Sequence, residues 1–194
     1  MGSVMKRHAT AVILLCSWSI GAWAREVPRV LGDPEPSPAA MCALYQMDRQ
    51  YERALQRCTE ALADGEDAEV YSNRGSAYLM IDEIDRAISD FDRAIQLEPD
   101  NAIRYYNRGI AFSRKHQVQK AIDDYSRAIQ LSPDLAPAYS NRAHEFELAG
   151  ERDKAIEGYR AALRLAPALQ GALEEHFRRL GALPTSPADA MGRD

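Results

Sequence analysis

The stretch 105-YYNRGIAF-112 contains the pattern that decides the fold of this chain. An aromatic residue lies three positions before the arginine of an Asn-Arg pair, a small residue follows the pair, and a second aromatic residue lies four positions after the arginine. Two other stretches have the same arrangement, 71-YSNRGSAY-78 and 139-YSNRAHEF-146. Because neighbouring copies are separated by 34 residues, the chain contains an internal repeat of that length.

The 34-residue period continues beyond the motif. Each unit has an alanine, then an aromatic residue, a second alanine and a closing proline. These columns are Ala87, Ala121 and Ala155; Phe91, Tyr125 and Tyr159; Ala94, Ala128 and Ala162; and Pro99, Pro133 and Pro167. Apolar residues spaced as in 87-AISDFDRAI-95 predict an amphipathic helix. The proline ends it, because proline cannot continue a helix.

These columns resemble the tetratricopeptide repeat. The resemblance implies an all-α fold, a right-handed superhelical solenoid of antiparallel helix pairs. Small residues such as Gly75 and Ala87 are expected to let the two helices of a unit approach closely. The expected units are a degenerate repeat at 38–67, full repeats at 68–101, 102–135 and 136–167, and a C-terminal capping helix at 168–183.

The N-terminus is typical of a secretory signal peptide over residues 1–24. Lys6 and Arg7 precede an apolar run of about 12 residues, and Ala22-Trp23-Ala24 follows it. This run is short for a membrane span, which needs roughly 20 residues. We expect cleavage after Ala24, a periplasmic or secreted bacterial protein, and no stable membrane insertion. An uncleaved anchor is the alternative.

Proline-rich segments flank the repeats. Residues 25–37 contain Pro28, Pro34 and Pro36, and this density predicts an extended linker rather than a helix. Residues 184–194 are expected to form a flexible tail for the same reason.

Charge and motif content exclude several classes of function. Without Lys6 and Arg7 the chain has 22 basic and 29 acidic residues, a net charge of −7, which argues against nucleic-acid binding. Asp123 and Asp124 are adjacent and would point about 100° apart on a helix, so they do not form a catalytic pair. The histidines at 116, 144 and 176 are far apart in sequence and lack metal-ligand spacing. We expect no enzymatic activity, no metal and no cofactor.

Two cysteines remain after the expected cleavage, Cys42 and Cys58. On the repeat alignment they face each other across the first helix pair. An oxidising compartment favours a disulfide between them, which would contribute about 3 kcal/mol by closing a loop of roughly 16 residues. The alternative is a pair of small, buried, reduced side chains.

The resemblance also implies a binding surface. Proteins of this family hold peptides or partner helices on a concave face formed by the first helix of each unit. Carried over position by position, the candidate partner groove consists of Leu79, Met80, Ile103, Tyr106, Ile110, Ser113, Arg114, His144 and Leu148. Its apolar centre at Tyr106 and Ile110 is typical of a protein-binding patch. Alternatively, the linker or the C-terminal helix covers these residues.

One subset of the family binds a C-terminal carboxylate with a clamp of lysine, asparagine and arginine. Here the lysine positions hold Ala39, Ser72 and Ile103, so we expect no such clamp. The sequence predicts a non-enzymatic scaffold or adaptor of the bacterial envelope that binds a protein or peptide. A self-associating structural module (a homo-oligomer) and a regulatory subunit of an envelope enzyme are the alternatives.

The Asn-Arg pair has a structural interpretation. The arginine position is usually leucine in the family, so the guanidinium needs a partner. An acid follows 16 residues later in two units, which predicts the pairs Arg74–Asp90 and Arg108–Asp124.

The remaining members of the motif lack such a match. In the third unit the acid position is Gly158, so Arg142 would need Glu157, an acid of the preceding repeat, or solvent. The asparagines are expected to bond to the backbone of the adjoining repeat; they are Asn73, Asn107 and Asn141. Binding of an anion by the arginines is the alternative.

Overall fold

The computed structural model describes residues 36–182. The expected signal peptide, the linker up to residue 35 and the expected tail lie outside the described residues. Residues 36–182 are helical without a strand. The helices are α1 (Pro38–Met47), α2 (Tyr51–Asp64), α3 (Ala68–Met80), α4 (Ile84–Leu97), α5 (Ala102–Arg114), α6 (Val118–Leu131), α7 (Ala136–Leu148), α8 (Arg152–Leu165) and α9 (Gln170–Arg179).

Each helix packs mainly on its neighbours in sequence. The pairs α1–α2, α3–α4, α5–α6 and α7–α8 make the most extensive contacts, and each pair packs on the first helix of the next. This arrangement confirms the predicted all-α solenoid of helix pairs. No helix among the described residues is both long enough and apolar enough to cross a membrane.

Local sequence signals place the helix ends. Asp67 caps α3 by accepting hydrogen bonds from the backbone N–H groups of Glu69 and Val70, at 2.8 and 3.0 Å. Asn101 caps α5 in the same way. The turn inside each full repeat contains one residue with a positive φ; these residues are Asp82, His116 and Gly150. The 34-residue period therefore extends to the backbone conformation of the turns.

Small residues allow the close approach of paired helices, as expected. A Cβ atom on Gly75 would lie 2.9 Å from the ring of Phe91 and 3.2 Å from the carbonyl oxygen of Ala87. A Cβ atom on Gly109 would lie 2.7 Å from the ring of Tyr125. Any larger side chain at these positions would displace a buried aromatic residue.

The two ends of the array are closed differently. At the N-terminal end a disulfide joins Cys42 of α1 to Cys58 of α2, with their Cα atoms 4.9 Å apart. At the C-terminal end Leu173 and Phe177 of α9 are buried against the last helix pair. A 3-10 turn (Pro167–Leu169) precedes α9. The capping helix is therefore shorter than the predicted 168–183.

Candidate partner-binding groove

The arginines of the repeated motif form ion pairs between the two helices of a unit. In the first full repeat Arg74 donates two hydrogen bonds to Asp90, both 2.8 Å long. In the second, Arg108 donates to both carboxylate oxygens of Asp124, at 2.8 and 2.7 Å. These are the two partners that the 16-residue spacing predicted, and both aspartates are buried.

Arg108 also bonds to the preceding repeat. Its NH1 group lies 2.6 Å from an Oδ1 atom of Asp92. Burial lowers the pKa of a guanidinium, but at Arg108 the hydrogen bonds and charges of Asp124 and Asp92 outweigh burial and raise the pKa. Arg108 therefore stays charged while it links two helix pairs.

Aromatic rings of the same helix enclose each arginine. The guanidinium carbon of Arg108 lies 5.6 Å from the ring centre of Tyr105 and 5.7 Å from that of Phe112. Arg74 and Arg142 have equivalent contacts; their rings are Tyr71, Tyr78, Tyr139 and Phe146. Positions three before and four after the arginine share its helix face. The motif therefore contains a cation–π arrangement that we did not predict, although the spacing of the aromatic residues from the arginine is visible in the sequence.

Arg142 does not form an arginine–acid pair like those of the other two motif arginines. It bonds neither to Glu157 nor to an acid of the preceding repeat; its NH1 group donates to the Ser126 hydroxyl at 3.1 Å. Its Nε atom is buried without a partner among the described residues. Burial lowers the pKa of Arg142, in contrast to Arg108. A carboxylate is absent here because position 158 has no space for one: a Cβ atom on Gly158 would lie 2.8 Å from that of Ala143.

The motif asparagines do not bond to the backbone of the adjoining repeat, so this prediction is wrong. Asn141 donates to the Tyr106 hydroxyl at 3.2 Å, which is a side chain of the preceding repeat. Within residues 36–182, Asn73 and Asn107 make no side-chain hydrogen bond. Asn141 faces the preceding repeat, where it meets a side chain before it can reach the backbone.

The predicted groove residues fall into three groups. Met80, Ile103 and Leu148 each expose about half of their surface. Leu79 is instead buried, with 7% of its surface exposed, and packs in the core of the first full repeat. Arg114 points back along the array, where its NH1 group donates to the Leu79 carbonyl at 2.7 Å. Leu79 and Arg114 therefore have structural contacts that the groove prediction did not include.

Four predicted groove residues meet in one pocket, which we call the groove pocket. It has a volume of about 190 Å³ and lies between the second and third full repeats. Its lining is Ile110, Ser113, Arg114, Tyr125, Asn141, His144 and Glu145. Tyr106 borders it, with its ring 5.9 Å from that of Tyr125 and its hydroxyl bonded to Asn141.

Glu145 is the unexpected member of the groove pocket. Only 1% of its surface is exposed, and the equivalent positions of the other two full repeats hold the buried alanines Ala77 and Ala111. Its carboxylate accepts a hydrogen bond from the Ser113 hydroxyl. No cationic side chain among residues 36–182 lies within ion-pair distance of it. Burial and then the charge of Glu145 raise the pKa of Tyr125.

The C-terminal helix covers part of the predicted groove. Glu147 of α7 accepts a hydrogen bond from the Tyr159 hydroxyl at 2.8 Å and forms an ion pair with Arg179 at 2.9 Å, and one of its oxygens lies 2.7 Å from Nδ1 of His176. Burial raises the pKa of a carboxyl, but the hydrogen bonds of His176 and Tyr159 outweigh it and hold the pKa of Glu147 below its usual value. This cluster fastens α9 to the last repeat.

Two of the three histidines that are far apart in sequence lie together in this cluster. His144 of α7 and His176 of α9 lie with ring centres 5.5 Å apart. The folding of α9 back onto α7 brings them together, and sequence separation gave no indication of it. His116 lies in the turn between α5 and α6.

Comparison with known proteins identifies the repeat. Two profiles described as "Tetratricopeptide repeat" match the chain, one at residues 68–101 and 102–135 and the other at 136–169. No curated protein sequence matches it. The crystal structure of MamA is similar, with 27% identity and a TM-score of 0.64 over 73% of this chain and 79% of MamA.

Two other solved structures are similar in fold. The first TPR of Spaghetti (RPAP3), bound to the HSP90 peptide SRMEEVD, has 25% identity and a TM-score of 0.56 over 59% of this chain and 90% of that one. YrrB, described as a TPR protein with an unusual peptide-binding site, has 18% identity and a TM-score of 0.65, covering 72% of each chain. Since the profile matches extend over residues 68–169, more than half of the sequence, the chain belongs to the tetratricopeptide-repeat family.

Proposed function

We propose that this chain is a non-enzymatic binding module of the bacterial envelope that holds a segment of a partner protein in its concave groove. The segment contains a lysine or arginine whose charged group enters the groove pocket. Tetratricopeptide-repeat proteins bind peptides and other proteins, and one similar structure contains a bound peptide.

The observation that carries the proposal is the buried carboxylate of Glu145. A carboxylate removed from water is unfavourable unless charged or hydrogen-bonding groups compensate it. The Ser113 hydroxyl supplies one hydrogen bond, whereas a carboxylate accepts several. A cationic side chain from a partner would supply both the missing charge and the missing donors.

Several other lining groups suit such a side chain, and the cation in the lining, Arg114, has its NH1 group bonded to the Leu79 carbonyl. Ile110 and the ring of Tyr125 offer apolar surface for the methylene stem of lysine or arginine. Asn141 uses its amide N–H for Tyr106, which leaves its carbonyl oxygen as an acceptor. The exposed side chains of Ile103 and Leu148 extend the groove on either side for apolar contacts with the same segment.

An envelope location rests on different support. The first 24 residues have the composition of a secretory signal, with expected cleavage after Ala24. The disulfide between Cys42 and Cys58 favours an oxidising compartment. The net charge of −7 expected for the cleaved chain also favours basic partners.

Peptide selection tests the proposed contact. A random peptide library displayed on phage is panned on the purified protein and, in parallel, on Glu145→Ala. Alanine occupies the equivalent position of the other full repeats, so this variant is expected to fold. We expect lysine or arginine to be enriched at one fixed position with the wild-type protein and not with the variant. An exposed glutamate of α9 provides the control Glu174→Ala, which should leave the enrichment unchanged.

Two results would contradict the proposal. One is a selection without basic residues, and the other is an enrichment that Glu145→Ala preserves. Sedimentation velocity across a range of concentrations separates the groove function from self-association. A monomer at every concentration agrees with the proposal, and a dimer that blocks peptide binding favours the self-associating module.

A further inference from the structure

Three metal-ligating side chains converge where α9 meets α7. They are His144 and Glu147 of α7 and His176 of α9, and their ligand atoms all lie within 4.8 Å of one another. One carboxylate oxygen of Glu147 is 2.7 Å from Nδ1 of His176 and 4.0 Å from Nδ1 of His144. Two ligands of a tetrahedral Zn²⁺ ion, each about 2.0–2.1 Å from the metal, lie roughly 3.3 Å apart. The three atoms therefore need shifts of under about 1 Å to surround one ion.

His144 has a buried polar atom that no hydrogen bond within residues 36–182 satisfies. Its Nδ1 atom is buried and has no hydrogen-bond partner among the described residues. It faces the carboxylate of Glu147 and the ring of His176. A buried ring nitrogen normally has a partner, and a metal ion would be one.

We propose that His144, Glu147 and His176 form a binding site for a Zn²⁺-class transition-metal ion. Two imidazoles and one carboxylate suit Zn²⁺, and the fourth position would hold water. Hard cations such as Mg²⁺ prefer oxygen ligands, so the donor set disfavours them. This proposal is independent of the groove function.

The groups around the three ligands fit this role. Arg179 forms an ion pair with the second oxygen of Glu147 at 2.9 Å, and this contact would orient the carboxylate as an outer partner of the metal. Arg179 also approaches Nδ1 of His176 and would move away from it when the metal binds; its side chain is half exposed, so it has space to do so. The Tyr159 hydroxyl lies 2.8 Å from both Oε2 of Glu147 and Nδ1 of His176; when the metal binds it would lose the contact with His176 and keep the one with Glu147 as a further outer partner.

Metal binding would connect two elements. His144 and Glu147 belong to the last repeat, whereas His176 belongs to the capping helix. An ion between them would hold α9 onto α7 and stabilise the folded state, because it binds that state alone. His144 also lines the groove pocket, so the ion would fix one wall of that pocket.

Isothermal titration calorimetry with ZnCl₂ tests the site. The protein carries no histidine tag and is first stripped with a chelator. We expect one Zn²⁺ per chain, no heat with MgCl₂, and a melting temperature that rises with Zn²⁺. His144→Ala and His176→Ala should each weaken binding by at least ~10-fold, the loss that even outer partners of metal sites cause. The remaining described histidine provides the control His116→Asn, which should bind as the wild type does; asparagine tolerates the positive φ of this turn.

His144→Ala separates the metal site from a purely hydrogen-bonded cluster. Its Nδ1 atom makes no hydrogen bond to the described residues, so the stripped variant loses only the packing of the ring against His176, and its melting temperature should no longer rise with Zn²⁺. Absence of Zn²⁺ binding to the wild type would overturn the proposal. Equal affinity in wild type and His144→Ala would also overturn it.

Discussion

Each motif arginine combines two kinds of partner. The rings three positions before and four positions after it flank the guanidinium, and an acid on the second helix binds it in two of the three repeats. Planar arginine suits both contacts, whereas lysine would lose the bidentate geometry and the stacking. Where the family usually has leucine, this chain has an arginine, and the fixed geometry of its donors limits which neighbouring residues can satisfy it.

The Arg74–Asp90 pair should contribute measurably to stability. Asp90→Ala leaves a largely buried guanidinium without its carboxylate, so the free energy of unfolding should fall by about 1.5–3 kcal/mol. Urea denaturation measures this change. Glu60→Ala removes the exposed pair with Arg57 and serves as the control, with little change expected. Equal effects of the two substitutions would contradict a buried structural pair.

Glu147 should make stability depend on pH in the acid range. Its pKa in the folded state is lowered below the ordinary value of 4.5, because the hydrogen bonds of His176 and Tyr159 outweigh burial. The ionised carboxylate therefore stabilises the fold above about pH 4.5, and this contribution disappears as the pH falls through the folded-state pKa.

Comparison with Glu147→Gln measures the effect of this carboxylate. The wild type should be the more stable protein at neutral pH in the presence of a chelator, and the difference should shrink below pH 4.5. Urea denaturation at several pH values gives the difference. A difference that is constant across this range would contradict the assignment.

Residue-scale prediction succeeded where the repeat alignment supplied a partner. The spacing of 16 residues identified Asp90 and Asp124, because the same separation between the arginine and the acid recurs in two successive 34-residue units. It did not identify Ser126 for Arg142 or Asp92 for Arg108, because only the position 16 residues after each arginine was considered, whereas both of these partners lie 16 residues before it. The role of Glu145 was not predicted, although the repeat alignment shows a glutamate at a position where the other two full repeats have alanine.

At the scale of helices, close contact between paired helices depends on glycine. Gly109 of α5 lies against the ring of Tyr125 of α6, which is fully buried. In the first two full repeats the aromatic residue of the second helix occupies the space that the glycine leaves on the first; in the third the glycine is Gly158 of the second helix, which faces Ala143. This relation follows from the repeat columns, and the helix pairs were accordingly predictable.

Gly109→Ala should destabilise the protein. The added Cβ atom would lie 2.7 Å from the Tyr125 ring and would force this buried ring to shift, so we expect a loss of about 1–3 kcal/mol. Gly171→Ala is the matched control in α9, where nothing lies within 4 Å of the added atom. There, alanine should stabilise by about 0.5–1 kcal/mol. Thermal denaturation of both variants gives the signs, and the same sign for both would contradict the packing argument.

The ends of the array were predicted less well than its middle. The sequence indicated a capping helix, but not that Glu147, Tyr159 and His176 would form a polar cluster beneath it. Contacts between a capping helix and a repeat do not follow the 34-residue period, so the repeat alignment gives no partner for them. The same reason explains why the sequence did not bring His144 and His176 together.

At the scale of the whole molecule, the proposed groove combines exposed apolar residues with a pocket that contains a buried carboxylate. The clamp known in the family uses cations for an anionic chain end, whereas Glu145 offers the opposite charge. The repeat framework was predictable, but the chemistry of the groove depends on one residue that departs from it.

A double-mutant cycle tests the central claim most directly. Affinities are measured for a selected peptide and its lysine-to-alanine derivative, each with the wild-type protein and with Glu145→Ala. If the lysine pairs with Glu145, the two changes should couple by about 1.5 kcal/mol or more. Effects that add within about 0.5 kcal/mol would mean that the two groups do not interact, and would contradict the proposed binding mode.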